Sequence, residues 1–137
     1  MDIFKPENLL QEHGLKWILI DFDGVLHKPT DKNFVIKGKP IKGSKQALTK
    51  LKKAGFKIIV YTSRHWIDYI SIETWLKHHQ IPFDRIICGK VLGLMFIDDT
   101  AYKFKGNWNK EIKTILKIAK NEYKKHLKSL KDRVNNP

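Results

Sequence analysis

Apolar residues come in short unbroken runs through the first two thirds of the chain and in a three-to-four-residue rhythm through the last third. Lys16-Trp17-Ile18-Leu19-Ile20 is one such run and stops at Asp21; Lys57-Ile58-Ile59-Val60-Tyr61 is another and stops at Thr62. Unbroken rather than alternating apolarity marks strands covered on both faces, as in a parallel sheet. Between these runs Ala47, Leu48, Leu51 and Ala54 share one helical face, Ser44 stands where a capping hydroxyl is wanted, and Gly55 where a helix stops. A second helix is predicted over residues 67–79, with Ile72, Trp75 and Leu76 inward, before Ile81-Pro82 breaks it. Two more strands are expected at 85–88 and 94–97, the latter running into Asp98-Asp99. From Asn109 onward Ile112, Leu116, Ala119, Tyr123, Leu127, Leu130 and Val134 form one face of a long helix.

Strands alternating with helices at this spacing predict an α/β fold, a Rossmann-like three-layer sandwich with a mainly parallel central sheet and a long C-terminal helix. In such sheets ligands bind beyond the carboxyl ends of the strands, the positions taken here by Asp21, Thr62 and Asp98. The 137 residues suit a single domain, with a core over about 15–108 and a helix over about 109–133. No apolar run is long enough to span a membrane. Residues 1–10 mix charges with apolar side chains, unlike a secretory leader, so the expected location is cytoplasmic. Cys88 is a solitary cysteine in an apolar setting and reads as a small buried hydrophobe. The six histidines show no zinc-site spacing, so any metal is expected to be a hard cation held by oxygen.

Asp21-Phe22-Asp23-Gly24-Val25-Leu26, leaving an apolar strand, puts two carboxylates two residues apart and then a glycine that permits a tight turn. Taken alone, that pattern also fits an ordinary strand-to-turn connection. It resembles the first motif of the haloacid dehalogenase-like superfamily. Val60-Tyr61-Thr62-Ser63-Arg64 resembles the second motif, Gly89-Lys90 supplies the cation of the third, and Phe96-Ile97-Asp98-Asp99 resembles the fourth. The resemblance covers roughly residues 15–108. Thr100 departs from the arginine that small members often carry after the acidic pair, and Lys90-Val91 from their frequent Lys-Pro.

The resemblance implies that Asp21 is the nucleophile, while Asp23 protonates the leaving oxygen and later deprotonates the attacking water. It makes Thr62 a hydrogen-bond partner of the transferring phosphoryl group, Ser63 a backbone contact, Arg64 a substrate ligand or carboxylate partner, and Lys90 the neutralising ammonium. Asp21, Asp23, Asp98 and Asp99 cannot crowd around a phosphate unaided, since two unit charges 4 Å apart repel by about 4 kcal/mol at an effective dielectric of 20. Mg²⁺ is therefore the implied cofactor, held by the Asp21 carboxylate, the Asp23 carbonyl and Asp98, with Asp99 acting through water or on Lys90. Both places where such proteins insert a cap are short here, so a capless, open site is expected.

The net charge of +13 changes the picture only at the tail: residues 103–133 hold 11 basic and 3 acidic side chains. Lys110, Lys113, Lys117, Lys120, Lys124, Lys128 and Lys131 form a stripe beside the apolar face. A solvated helix face accounts for this, and a surface for nucleic acid is the sharper reading. Three functions are thus expected in order: a Mg²⁺-dependent phosphomonoesterase acting on a small or bulky phosphorylated substrate, a polynucleotide-end phosphatase using the basic helix, and a non-catalytic binding module. A pocket closed by another subunit would make the protein a homo-oligomer.

Overall fold

The computed structural model describes residues 16–30 and 35–136. The N-terminal segment and part of the connection over residues 26–43 lie outside these residues. Strands β1 (Trp17–Ile20), β2 (Lys57–Tyr61) and β3 (Arg85–Ile87) form a parallel sheet in that order. Ile20 lies beside Val60, and Tyr61 beside Ile87, so all three carboxyl ends face one side. This is the mixed α/β arrangement expected from the apolar runs.

Among the described residues three helices accompany the sheet: α1 (Ser44–Lys53), α2 (Tyr69–His78) and α3 (Trp108–Asn135). A 3-10 turn over Trp66–Asp68 leads into α2. Helix α1 packs on β2 and α3 packs on α1. The core is built from Phe22, Leu26, Leu48, Leu51, Ile58 and Ile72, each inaccessible to solvent.

Helix α1 ends in a Schellman motif: Phe56 N–H donates to Leu51 O and Gly55 N–H to Lys52 O, with Gly55 at φ 94°. Helix α2 ends the same way, Ile81 N–H donating to Leu76 O and Gln80 N–H to Lys77 O, although the left-handed position is held by Gln80 at φ 55°. At the start of α1 the expected cap moves by one residue. Gly43 is the N-cap, and Ser44 is buried as the first helical residue with no partner for its Oγ among the described residues. Gly43 takes φ 84°, and a Cβ there would meet the Asn109 side chain of α3, so the position suits glycine.

Two expectations are corrected here. No strand forms at 94–97: Leu94, Met95, Phe96 and Ile97 are 108%, 72%, 59% and 93% exposed. Lys90 N–H is bonded to Thr62 O at the carboxyl end of the sheet. Only three residues then precede the run, whereas a parallel neighbour must start at the opposite end and usually follows a crossover of about a dozen residues or more. The apolar face of α3 is the second. Ile112, Ile115, Leu116, Ala119 and Tyr123 meet the core, but Val134 is 52% exposed and the helix continues past its support.

Asp84 ties α1 to the sheet just before β3. Its carboxylate accepts from Lys52 Nζ at 2.6 Å and from Ile58 N–H at 2.7 Å. Burial opposes the charge, but these donors hold the carboxyl below its ordinary value of 3.8. The unfolded chain therefore binds this proton more readily than the native one. The stabilisation is complete above the unfolded value and fades as pH falls through the lower native one. Asp84→Ala should cost about 2 kcal/mol at pH 7. In urea denaturation its midpoint should approach that of the parent as the pH is taken below 3.8. An equal gap at both pH values would show that the charge is not what holds β3.

Candidate functional site

Parallel strands deliver their following residues to one edge of the sheet, and adjacent strands are about 4.8 Å apart. Asp21 follows β1, Thr62 follows β2, and Cys88-Gly89-Lys90 follows β3. The chain ends are zipped further by Thr62 N–H to Ile87 O and Gly89 N–H to Arg64 O. Lys90 thereby places its ammonium 3.8 Å from Asp21 Oδ2, between the rings of Tyr61 and Phe96 at 5.4 and 5.0 Å.

After β1 the chain closes on itself. Leu26 and His27 N–H both donate to Phe22 O, Gly24 N–H donates to His27 O, and Gly24 takes φ 82°. Trp108, at the head of α3, donates its indole N–H to Val25 O at 2.7 Å. This turn directs both carboxylates into the same region. Asp21 Oδ1 accepts from Phe22 N–H at 2.8 Å. Burial pushes the Asp21 carboxyl above its ordinary range and outweighs the opposing Lys90 charge and Phe22 N–H.

Asp23 is held differently. Arg64 Nε donates to Oδ2 at 2.7 Å and Arg64 Nη2 to Oδ1 at 3.0 Å, a two-pronged pair of the kind guanidinium geometry favours. His27 Nδ1 lies 2.9 Å from Oδ1. Since His27 Nε2 accepts from Gly38 N–H, the ring proton sits on Nδ1 and donates to Asp23. Burial works against the Asp23 charge, yet the Arg64 and His27 hydrogen bonds, with the Arg64 charge, hold its carboxyl below the usual range. In this arrangement Asp23 is held as a carboxylate, with little of the acid form that could protonate a leaving oxygen.

His27 carries no signal in the sequence beyond standing four residues after Asp23. It is inaccessible to solvent, stacked on Phe22 at 5.1 Å and edge-on to Trp75 at 5.2 Å. Trp75 in turn donates to Gly38 O at 2.9 Å, and a Cβ on Gly38 would collide with the Lys28 carbonyl oxygen. The connection leading to α1 thus bears on Asp23 through one imidazole.

Of the residues expected at the site, Asp21, Asp23, Thr62, Arg64 and Lys90 come together. Thr62 is 1% exposed, and its Oγ1 accepts from Arg64 N–H at 3.1 Å. Ser63 is half-buried beside it. Arg64 takes the carboxylate-partner role. Asp98 is not brought into the cluster by any hydrogen bond or ion pair among the described residues; its Oδ1 accepts from the N–H and hydroxyl of Thr100. Asp99 lies on the same exposed stretch. Among the described residues no group of three or more His, Cys, Asp or Glu gathers as a cation site. The donor set implied for Mg²⁺ therefore does not fit this arrangement, in which Lys90 faces Asp21 and Arg64 faces Asp23. Cys88 is buried, and burial pushes its thiol up, as expected of an unreactive core residue.

No family model and no curated protein matches the chain. A crystal structure of a target protein from Vibrio cholerae resembles it with a TM-score of 0.59 at 24% identity, over 80% of this chain and 97% of that one. At that identity the likeness speaks for the fold alone. No helix among the described residues is long and apolar enough to cross a membrane.

Proposed function

We propose that this chain is a phosphomonoester hydrolase of the haloacid dehalogenase-like kind, capless and with a Rossmann-like core, in which Asp21 is the nucleophile. The observation that carries the reading is the Lys90 ammonium 3.8 Å from the Asp21 carboxylate, at the shared end of three parallel strands. A nucleophile beside a fixed cation is what phosphoryl transfer needs, because the cation serves both the attacking oxygen and the phosphoryl oxygens. Asp21 forms the new bond to phosphorus as the bond to the alcohol oxygen breaks, and the departing oxygen takes its proton from water, since Arg64 and His27 hold Asp23 as a carboxylate. Water then attacks the aspartyl-phosphate, breaking its bond to Asp21 and releasing phosphate, and passes its proton to Asp23, which returns it to solvent. Thr62, whose oxygen accepts from Arg64 N–H, keeps its own hydroxyl hydrogen to donate to a phosphoryl oxygen.

The four charges at the site cancel pairwise, so the pocket offers a phosphate dianion no net attraction. A divalent cation would change that balance, but its implied donor set is not gathered among the described residues, and none of the steps above passes through it. With Mg²⁺ supplied, release of phosphate from an aryl phosphate is expected, with a decrease of about 10²-fold in Lys90→Ala. No release from aryl phosphates, sugar phosphates, nucleotides or phosphorylated oligonucleotides would end the reading. The exposed lysine stripe of α3 favours polynucleotide ends as a second substrate class. That version requires an oligonucleotide preference that weakens steeply with salt.

A further inference from the structure

Trp66 is an aromatic side chain that neither the core nor the proposed chemistry uses. Its indole is 58% exposed at the start of the 3-10 turn, and next to it Ile67 and Ile70 are 89% and 67% exposed. The indole lies beside the site rather than on a remote face. A Cβ on Gly89 would sit 3.5 Å from Trp66 Nε1, so the indole borders the residue preceding Lys90. Gly89 N–H is bonded to Arg64 O, which ties the two loops at that point. The indole thus borders the loop whose next residue, Lys90, reaches Asp21. The ring is oriented as well as exposed, since Tyr69 stacks against it at 6.0 Å with an interplanar angle of 18°.

We infer that Trp66 determines specificity by stacking on an aromatic ring carried by the alcohol portion of the substrate, so that the preferred phosphomonoesters resemble nucleoside monophosphates. This rests on the phosphatase reading and adds the class of leaving group. A phosphate at Asp21 and Lys90 projects its ester group outward, and the rim nearest Lys90 is apolar and aromatic. An exposed indole held by a neighbour offers a flat surface with little conformational freedom left to lose, and any base can use it. A bare sugar phosphate would leave that surface wet.

The test compares adenosine 5′-monophosphate with ribose 5-phosphate, two esters with the same reacting oxygen that differ in the base. The parent protein should favour the nucleotide in kcat/KM. Trp66→Ala should lower the ratio of the two values by about tenfold, and Trp66→Phe should retain most of it. Affinity for the same two compounds, measured by calorimetry on Asp21→Asn, should show the same ordering. Phosphate release with a ratio indifferent to Trp66 would overturn the stacking role and leave the phosphatase reading standing. No release from either ester, nor from the other phosphomonoesters, would remove both.

Discussion

Asp21→Asn is expected to lower phosphate release by about 10³-fold or more while leaving the fold in place, the largest effect on activity available to any single substitution in this chain. Asparagine matches the shape of aspartate, and its side-chain oxygen can still accept from Phe22 N–H. What it lacks is the anionic oxygen that attacks phosphorus. Asp21 is also raised by burial, so removing its charge should not destabilise the protein, and the urea midpoint should hold or rise. The measurement is therefore double: steady-state release together with a denaturation curve. Rapid quenching with substrate should in addition label the parent at residue 21 and leave the variant unlabelled. Release at parental rates from a folded, unlabelled Asp21→Asn protein would assign the chemistry elsewhere.

Phe22→Ala should have the largest effect on stability, about 3–5 kcal/mol, as expected for a fully buried aromatic side chain. That is a large share of the roughly 5–15 kcal/mol by which a domain is stable. The ring does more than fill space. It stacks on His27, meets Trp75 edge-on at 5.2 Å, and lies beneath the Arg64 guanidinium at 5.8 Å. The groups that hold Asp23 thus rest on Phe22 or pack around it. At temperatures where Phe22→Ala is still folded, activity should fall more than the folded fraction does. A loss of stability under 1 kcal/mol, read from the urea midpoint and slope, would show that the core closes around the missing ring without consequence.

The strand-and-turn units were legible in the chain itself because their causes are local. An unbroken apolar run specifies a covered strand, a following polar residue marks its end, and glycine at 24 and 55 permits the positive φ of a turn or helix stop. Parallel pairing then leaves little choice about where Asp21, Thr62 and Lys90 go. The run at 94–97 has the same local character and the opposite outcome. Its fate depends on the tether at Lys90 and the length of the connection, which no short window contains.

Asp23 shows the same division within a single residue. Its place two positions after Asp21 is visible in the sequence, but its state as a clamped carboxylate is not. Arg64 lies 41 residues away along the chain, and His27 is oriented by Gly38, itself set by Trp75 from 37 residues further on. Periodicity and turn chemistry act over a few bonds, whereas the charge, tautomer and exposure of a side chain depend on whatever folding packs against it.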